Sequence, residues 1–191
     1  MFRLVLIAVC IALFSTQSGL ADSSKEHERD RGHATPYAGQ HLREIKTLSA
    51  KDIEDLQNGR GWGLAKAAEL NGLPGPAHLL ELKDKISLSP AQTAKIEALF
   101  SAMKARAIPL GKRLVALERR LNQGFAKNEI ASPSDLRNQL SEIADVRRDL
   151  RFVHLSTHLE TPTVLTHHQI EMYNRLRGYG EGRGHGGHRH N

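Results

Sequence analysis

His154 and His158, in Phe152-Val153-His154-Leu155-Ser156-Thr157-His158-Leu159, stand four residues apart in a segment of helical periodicity. Both imidazoles can therefore face one side, as a Zn²⁺, Cu²⁺ or Ni²⁺ ion requires of two nitrogen ligands. Two ligands do not complete a site. His78 and Glu81, three apart in His78-Leu79-Leu80-Glu81, would bring the set to four N and O donors if their helix meets that of the histidines. Otherwise His154 and His158 hydrogen-bond at a helix interface. A third group, His185, His188 and His190, lies among glycines. Such chain wraps a cation without strain but loses ordering entropy on doing so, so its affinity is expected to be modest. Catalytic chemistry has no comparable footing. Gly59-Arg60-Gly61-Trp62-Gly63 is spaced loosely like a phosphate loop, yet it follows a helical pattern and not a strand, and reads as a helix break. The histidine pair lacks the interior Glu of a metalloprotease, and no Ser or Cys has an activating context. No enzyme activity is expected.

Lys104, Arg106, Lys112, Arg113, Arg119 and Arg120 crowd one long segment in which only Glu118 opposes them. The run is either a solvated helix face or a surface for unfolded chains, on which charge speeds encounter and the aliphatic stems hold on. The 191-residue chain as a whole carries 27 Lys and Arg against 21 Asp and Glu, a formal charge of +6. Nucleic acid would be the usual partner of such a balance, but the first residues argue for export. After Arg3 comes an eleven-residue apolar stretch, Leu4 to Phe14, then small and polar residues, with Gly19 and Ala21 placed for cleavage before Asp22. This reads as a secretory signal peptide, residues 1–21. Its removal takes the only cysteine, Cys10, and leaves 170 residues with a charge of +5. A thiol-free periplasmic protein is expected, without nucleic acid as a partner; anionic head groups, acidic proteins and unfolded polypeptide remain.

The elements that must position these groups are helical. Aromatic residues make up 5% of the chain, while Ala, Leu, Lys, Arg, Glu and Gln, which lose little rotamer freedom in a helix, dominate. An all-α fold is expected. Residues 22–44 form a polar, flexible arm, 45–177 the helical domain, and 178–191 a Gly/His-rich tail too glycine-rich to fold. Three helix-opening boxes recur: Leu48-Ser49-Ala50-Lys51-Asp52, Leu88-Ser89-Pro90-Ala91-Gln92 and Leu165-Thr166-His167-His168-Gln169. In each, the hydroxyl can accept from the amide three residues on, and the residue there can reach back to the cap's own amide. The pattern predicts helices over about 49–58, 62–71 and 76–86, a long one from Pro90 to about Lys127, a second long one from Ser132-Pro133 to about Glu160, and a short one ending at Leu176. On the first long helix Ile96, Phe100, Met103, Ala107, Leu110, Leu114, Leu117 and Leu121 step by four and three. Leu136, Leu140, Ile143, Val146, Leu150 and Val153 repeat on the second, so the two should pack as a helical hairpin. Pro109 should bend the first. Leu99, Val115, Phe152, Leu155 and Leu159 are left over, and predict a homodimer.

Two boxes 77 residues apart, Leu88, Ser89 and Gln92 in one and Leu165, Thr166 and Gln169 in the other, joined by long helices in an exported protein with a His-rich end, resemble the Spy/CpxP family of periplasmic stress proteins. Its relatives include the zinc-associated ZraP and the sensor domain of CnrX. The resemblance covers residues 76–177. It implies a four-helix protomer paired into a curved dimer and working without an active site, either as a chaperone for unfolded envelope proteins or as a metal-responsive binder that signals to a membrane partner. Residues 37–75 depart from the small chaperones of this family.

Overall fold

All three boxes close. Ser49, Ser89 and Thr166 each accept from the amide three residues on, and Asp52, Gln92 and Gln169 reach back to the cap amides. They open α1 (Ala50–Gln57), α4 (Pro90–Ala126) and α6 (His167–Leu176). Between them lie α2 (Lys66–Glu69), α3 (Pro76–Glu81) and α5 (Pro133–Glu160), the last capped by Ser132 on the Asp135 amide. The computed structural model describes residues 36–179. The expected signal peptide, most of the expected arm, and His185, His188 and His190 lie outside the described residues. The chain divides into two units, Met1–Ala38 and Gly39–Asn191, and the helices belong to the second. Among the described residues there is no strand beyond one isolated bridge, Ile45 with Leu48. The fold is all-α.

Burial follows the stripes. On α4, Ile96, Met103, Ala107, Leu114 and Leu117 are buried, and on α5 Ile143, Val146, Leu150 and Val153. Phe100, Leu110 and Leu121 pack half-buried against this core, to which α1 adds Leu56. Arg147 pairs with Glu118 at 2.8 Å and Arg120 with Glu142 at 2.8 Å, so residue numbers rise along α5 as they fall along α4, and the two run antiparallel. Each buried Leu, Ile or Val contributes about 1.5–3 kcal/mol relative to exposure. A second cluster joins Leu79 of α3, Ile86 of the turn that follows it, Ile96 of α4 and Tyr173 of α6.

Several expectations change. The helix foreseen over 62–71 shrinks to α2, because Gly59, Trp62 and Gly63 all take positive φ (63°, 41° and 71°), which right-handed helix excludes. The one over 76–86 stops at Glu81, and the chain leaves it through Ser87 at φ 55°. As expected, Pro109 does not divide the long segment: α4 runs through it as one 37-residue helix. Val115 is 1% exposed and is not left over, Leu140 is exposed, and Phe152 and Leu159 are exposed as expected. Residues 40–42, at the end of the expected arm, form a 3-10 turn, and Glu44 meets Arg119 at 2.9 Å. A Cβ on Gly111 would stand 1.9 Å from the Leu56 carbonyl oxygen, so only glycine lets α1 end against α4.

The boxes also grip each other. Gln92 Nε2 donates to Gln169 Oε1 at 2.8 Å and Gln169 Nε2 to Gln92 Oε1 at 3.1 Å. Gln92 Nε2 also reaches the Val164 carbonyl (2.9 Å) and Gln169 Nε2 the Ser87 carbonyl (3.3 Å). The start of α4 is thus fastened to the start of α6 by the same side chains that cap them. Chemical denaturation should show Gln92→Ala and Gln169→Ala each costing about 2 kcal/mol, with a double variant less harmful than the sum by about 1 kcal/mol. A coupling of zero would mean that the boxes act as separate caps.

Candidate functional site

The bend 59–75 and the helices α3, α4 and α5 enclose a cavity of about 530 Å³. His78, Glu81, His154 and His158 all line it, so the two pairs picked out by spacing do meet at one place. They do not meet as a closed ligand set. Among the described residues no group of three or more His, Cys, Asp or Glu side chains is placed to hold a metal ion, and Glu81 is exposed at the end of α3.

What organises the site is Glu69, at the end of α2, only 8% exposed. Its Oε1 accepts from the Tyr173 hydroxyl at 2.5 Å and from His78 Nδ1 at 3.1 Å. Arg177 Nε stands 3.4 Å from the same oxygen, close enough to pair but not aligned to hydrogen-bond. Burial raises the Glu69 pKa, but the bonds from His78 and Tyr173 and the nearby imidazoles outweigh it, so the carboxyl sits below its ordinary range. The cost appears on Tyr173, whose hydroxyl is pushed up by burial and by the carboxylate it binds. Sequence reasoning passed over Glu69, Tyr173 and Arg177, since nothing in Lys66-Ala67-Ala68-Glu69 distinguishes that glutamate from a solvated one.

The histidines are differently held. His158 Nδ1 lies 2.9 Å from the Leu73 carbonyl. A carbonyl only accepts, so Nδ1 carries a proton and donates it there. The carboxylate oxygen of Glu69 is 3.9 Å from the same nitrogen, an electrostatic neighbour only. A Cβ on Gly75 would fall 2.5 Å from His158 Nε2, so that glycine makes room for the ring. His78 donates through Nδ1 to Glu69, leaving its Nε2 to face Arg177 Nη2 at 3.4 Å. His154 is 3% exposed and its Nε2 is buried with no hydrogen-bond partner among the described residues. Burial, with a smaller push from His158, takes its pKa down to about 4. His154, neutral and with its Nε2 unpartnered, is the one of these imidazoles whose chemistry suits a metal ligand, with His158 four residues on beside it. The four-donor set fits less well, because the Arg177 guanidinium stands at His78 Nε2.

The basic run divides. Lys104 lines the cavity with its ammonium 5.7 Å from the Phe100 ring centre. Arg119 and Arg120 pair with Glu44 and Glu142. Arg106, Lys112 and Arg113 are exposed on α4 without a carboxylate in reach among the described residues. No described helix is long and apolar enough to cross a membrane. No protein-family model, curated protein or solved structure matches the chain.

Acid should act through His154. Its folded pKa lies below the unfolded value of about 6.5, so the unfolded state binds the extra proton; stability is whole above pH 6.5 and declines as pH falls toward 4. Between pH 7 and 5 this group alone should remove about 2 kcal/mol. Urea titrations at the two pH values should show that loss reduced by a similar amount in His154→Leu. An unchanged loss would show that the imidazole is not buried as described.

Proposed function

We propose that the protein is a non-enzymatic periplasmic stress protein of the Spy/CpxP kind, an ATP-independent chaperone that holds unfolded envelope proteins and takes up Zn²⁺, Cu²⁺ or Ni²⁺. The observation that carries the reading is the reciprocal grip of Gln92 and Gln169. It gives the two Leu-Ser/Thr-x-x-Gln boxes, the residues on which the resemblance rests, a joint role beyond capping. Arg106, Lys112 and Arg113, exposed and unmatched on α4, suit capture of unfolded chain through screened charge. In this reading α3 to α6, over the residues that carry the resemblance, are the four helices of a curved unit with α4 and α5 as the limbs of its hairpin, α1 and α2 are additions to it, and the exposed Phe152 and Leu159 on α5 belong to a homodimer. The basic face has a direct test. The protein at equimolar ratio should delay aggregation of an unrelated unfolded client without ATP, and reversal of Arg113, Arg119 and Arg120 to Glu should weaken the effect more at low salt than at high. Equal protection by both forms at every salt concentration would remove the basic face from the mechanism.

A second reading, a periplasmic heavy-metal sensor or resistance protein signalling to a membrane partner, is favoured by the unpartnered His154 Nε2 and by His158, which lines the same cavity. Calorimetry at neutral pH separates the candidate ligands. Deleting residues 184–191 should abolish a weak class of Zn²⁺, Cu²⁺ or Ni²⁺ binding, and His154→Ala with His158→Ala a tighter one, together with the rise in Tm that metal confers. Absence of any metal binding by the tail-deleted protein would leave the helix histidines structural and the chaperone reading alone.

A further inference from the structure

A cavity of about 530 Å³ is much larger than a metal ion needs; small-molecule pockets span roughly 300–1,000 Å³. Besides the histidines its lining includes the apolar side chains of Trp62, Leu70, Pro76, Phe100 and Met103. Trp62 is set before anything binds. It holds φ 41°, its indole N–H donates to Asp52 Oδ1 at 2.9 Å, and the Arg147 guanidinium lies 5.5 Å from its ring centre. A bulky residue at positive φ persists only where its surroundings over-determine it, and such residues cluster at ligand sites.

The charge on the wall is unbalanced. Four cations line the cavity: Arg60, Lys66, Lys104 and Arg177. Arg60 is matched by Glu54 at 2.7 Å and Asp55 at 3.1 Å, and Arg177 by Glu69. Lys66 and Lys104 meet no carboxylate among the described residues. Lys66 lies across Gly63, with its Nζ 3.8 Å from where a Cβ would stand, and Lys104 over Phe100. Against these two ammonium groups stands one unmatched lining carboxylate, the exposed Glu81. Metal binding at the histidines accounts for neither the aromatic wall nor the lysines.

We propose that the cavity binds an amphipathic organic anion, a carboxylate with an extended aliphatic body, its head group taken by Lys66 and Lys104 and its body packed on Trp62, Phe100 and Met103. This goes beyond the chaperone and metal readings and depends on neither. Trp62 is the only tryptophan in the chain, so its fluorescence reports occupancy without a label. Titration with dodecanoate below its micelle concentration should give a saturable change in emission at one ligand per chain. Dodecyltrimethylammonium, with the same body and opposite charge, should bind at least tenfold more weakly. At low salt Lys66→Glu with Lys104→Glu should weaken dodecanoate at least tenfold, and Lys95→Glu, exposed on α4 outside the cavity, should leave it unchanged. If the double reversal melts early, Lys66→Gln with Lys104→Gln should still weaken binding severalfold. No saturation below micelle formation, equal affinity for the two detergents, or indifference to both lysine pairs would each overturn the proposal.

Discussion

Taking the Glu69 carboxylate out of water constrains everything around the cavity. An ion of that size loses several kcal/mol of solvation even after relaxation, and recovers it only with well-placed donors. α2 is four residues long, too short to pay for its own nucleation as a helix, and cannot position anything by itself. The carboxylate does so instead, drawing Tyr173 and Arg177 from the far end of the chain and His78 from α3. The bend follows. Gly72 lies under Asn174, whose side chain donates to the Gly72 carbonyl at 3.2 Å; Leu73 receives His158, and Gly75 lies against the same ring. A run of glycines and small residues thereby becomes one wall of a cavity.

α6 is consequently held twice. At its start Gln169 locks onto Gln92 of α4, and one turn further on Tyr173 locks onto Glu69. The first lock is neutral and made of amides that each give and accept, so it is indifferent to pH. The second depends on an ionised carboxyl. Both bury polar groups that have no use except in each other's company, because an amide or hydroxyl left unpaired inside costs about 1–3 kcal/mol. The same logic runs through the end of α5, where Thr157 and Thr161 return their hydroxyls to the carbonyls four residues back, at 2.9 and 2.7 Å.

Local signals carried well from the amino-acid sequence. The caps at Ser49, Ser89, Ser132 and Thr166 and the stripes of α4 and α5 are properties of ten or so neighbouring residues, and they predict helix starts to within one residue. Where the backbone leaves the right-handed region the pattern misled: Leu64, Ala67, Ala68 and Leu70 look helical, yet Trp62 and Gly63 at positive φ confine the helix to four residues. Spacing identified His154, His158, His78 and Glu81 as groups that could share a site, since i, i+3 and i, i+4 fix a helix face. It could not show that a guanidinium 99 residues away occupies the vicinity of His78 Nε2. Nor could it show that the charge most consequential for the fold belongs to Glu69, whose partners are set by tertiary contacts of 9 to 108 residues' separation.

The cavity consequently has two chemical halves. On one side stand His158 on a backbone carbonyl and His78 on a carboxylate, with His154 kept neutral by burial down to about pH 4 and its Nε2 unpartnered. On the other stand aromatic and sulfur-bearing side chains beneath two lysines without counter-charges. Lys66 is exposed and Lys104 half-buried, so salt screens their pull on an anion, while the apolar wall beside Lys104 displaces part of the water around it. Carboxylates could have neutralised the lysines, as Glu54 and Asp55 neutralise Arg60 on the same rim. Their absence opposite Lys66 and Lys104 leaves a positive field over an apolar surface concave enough to enclose what that field draws in.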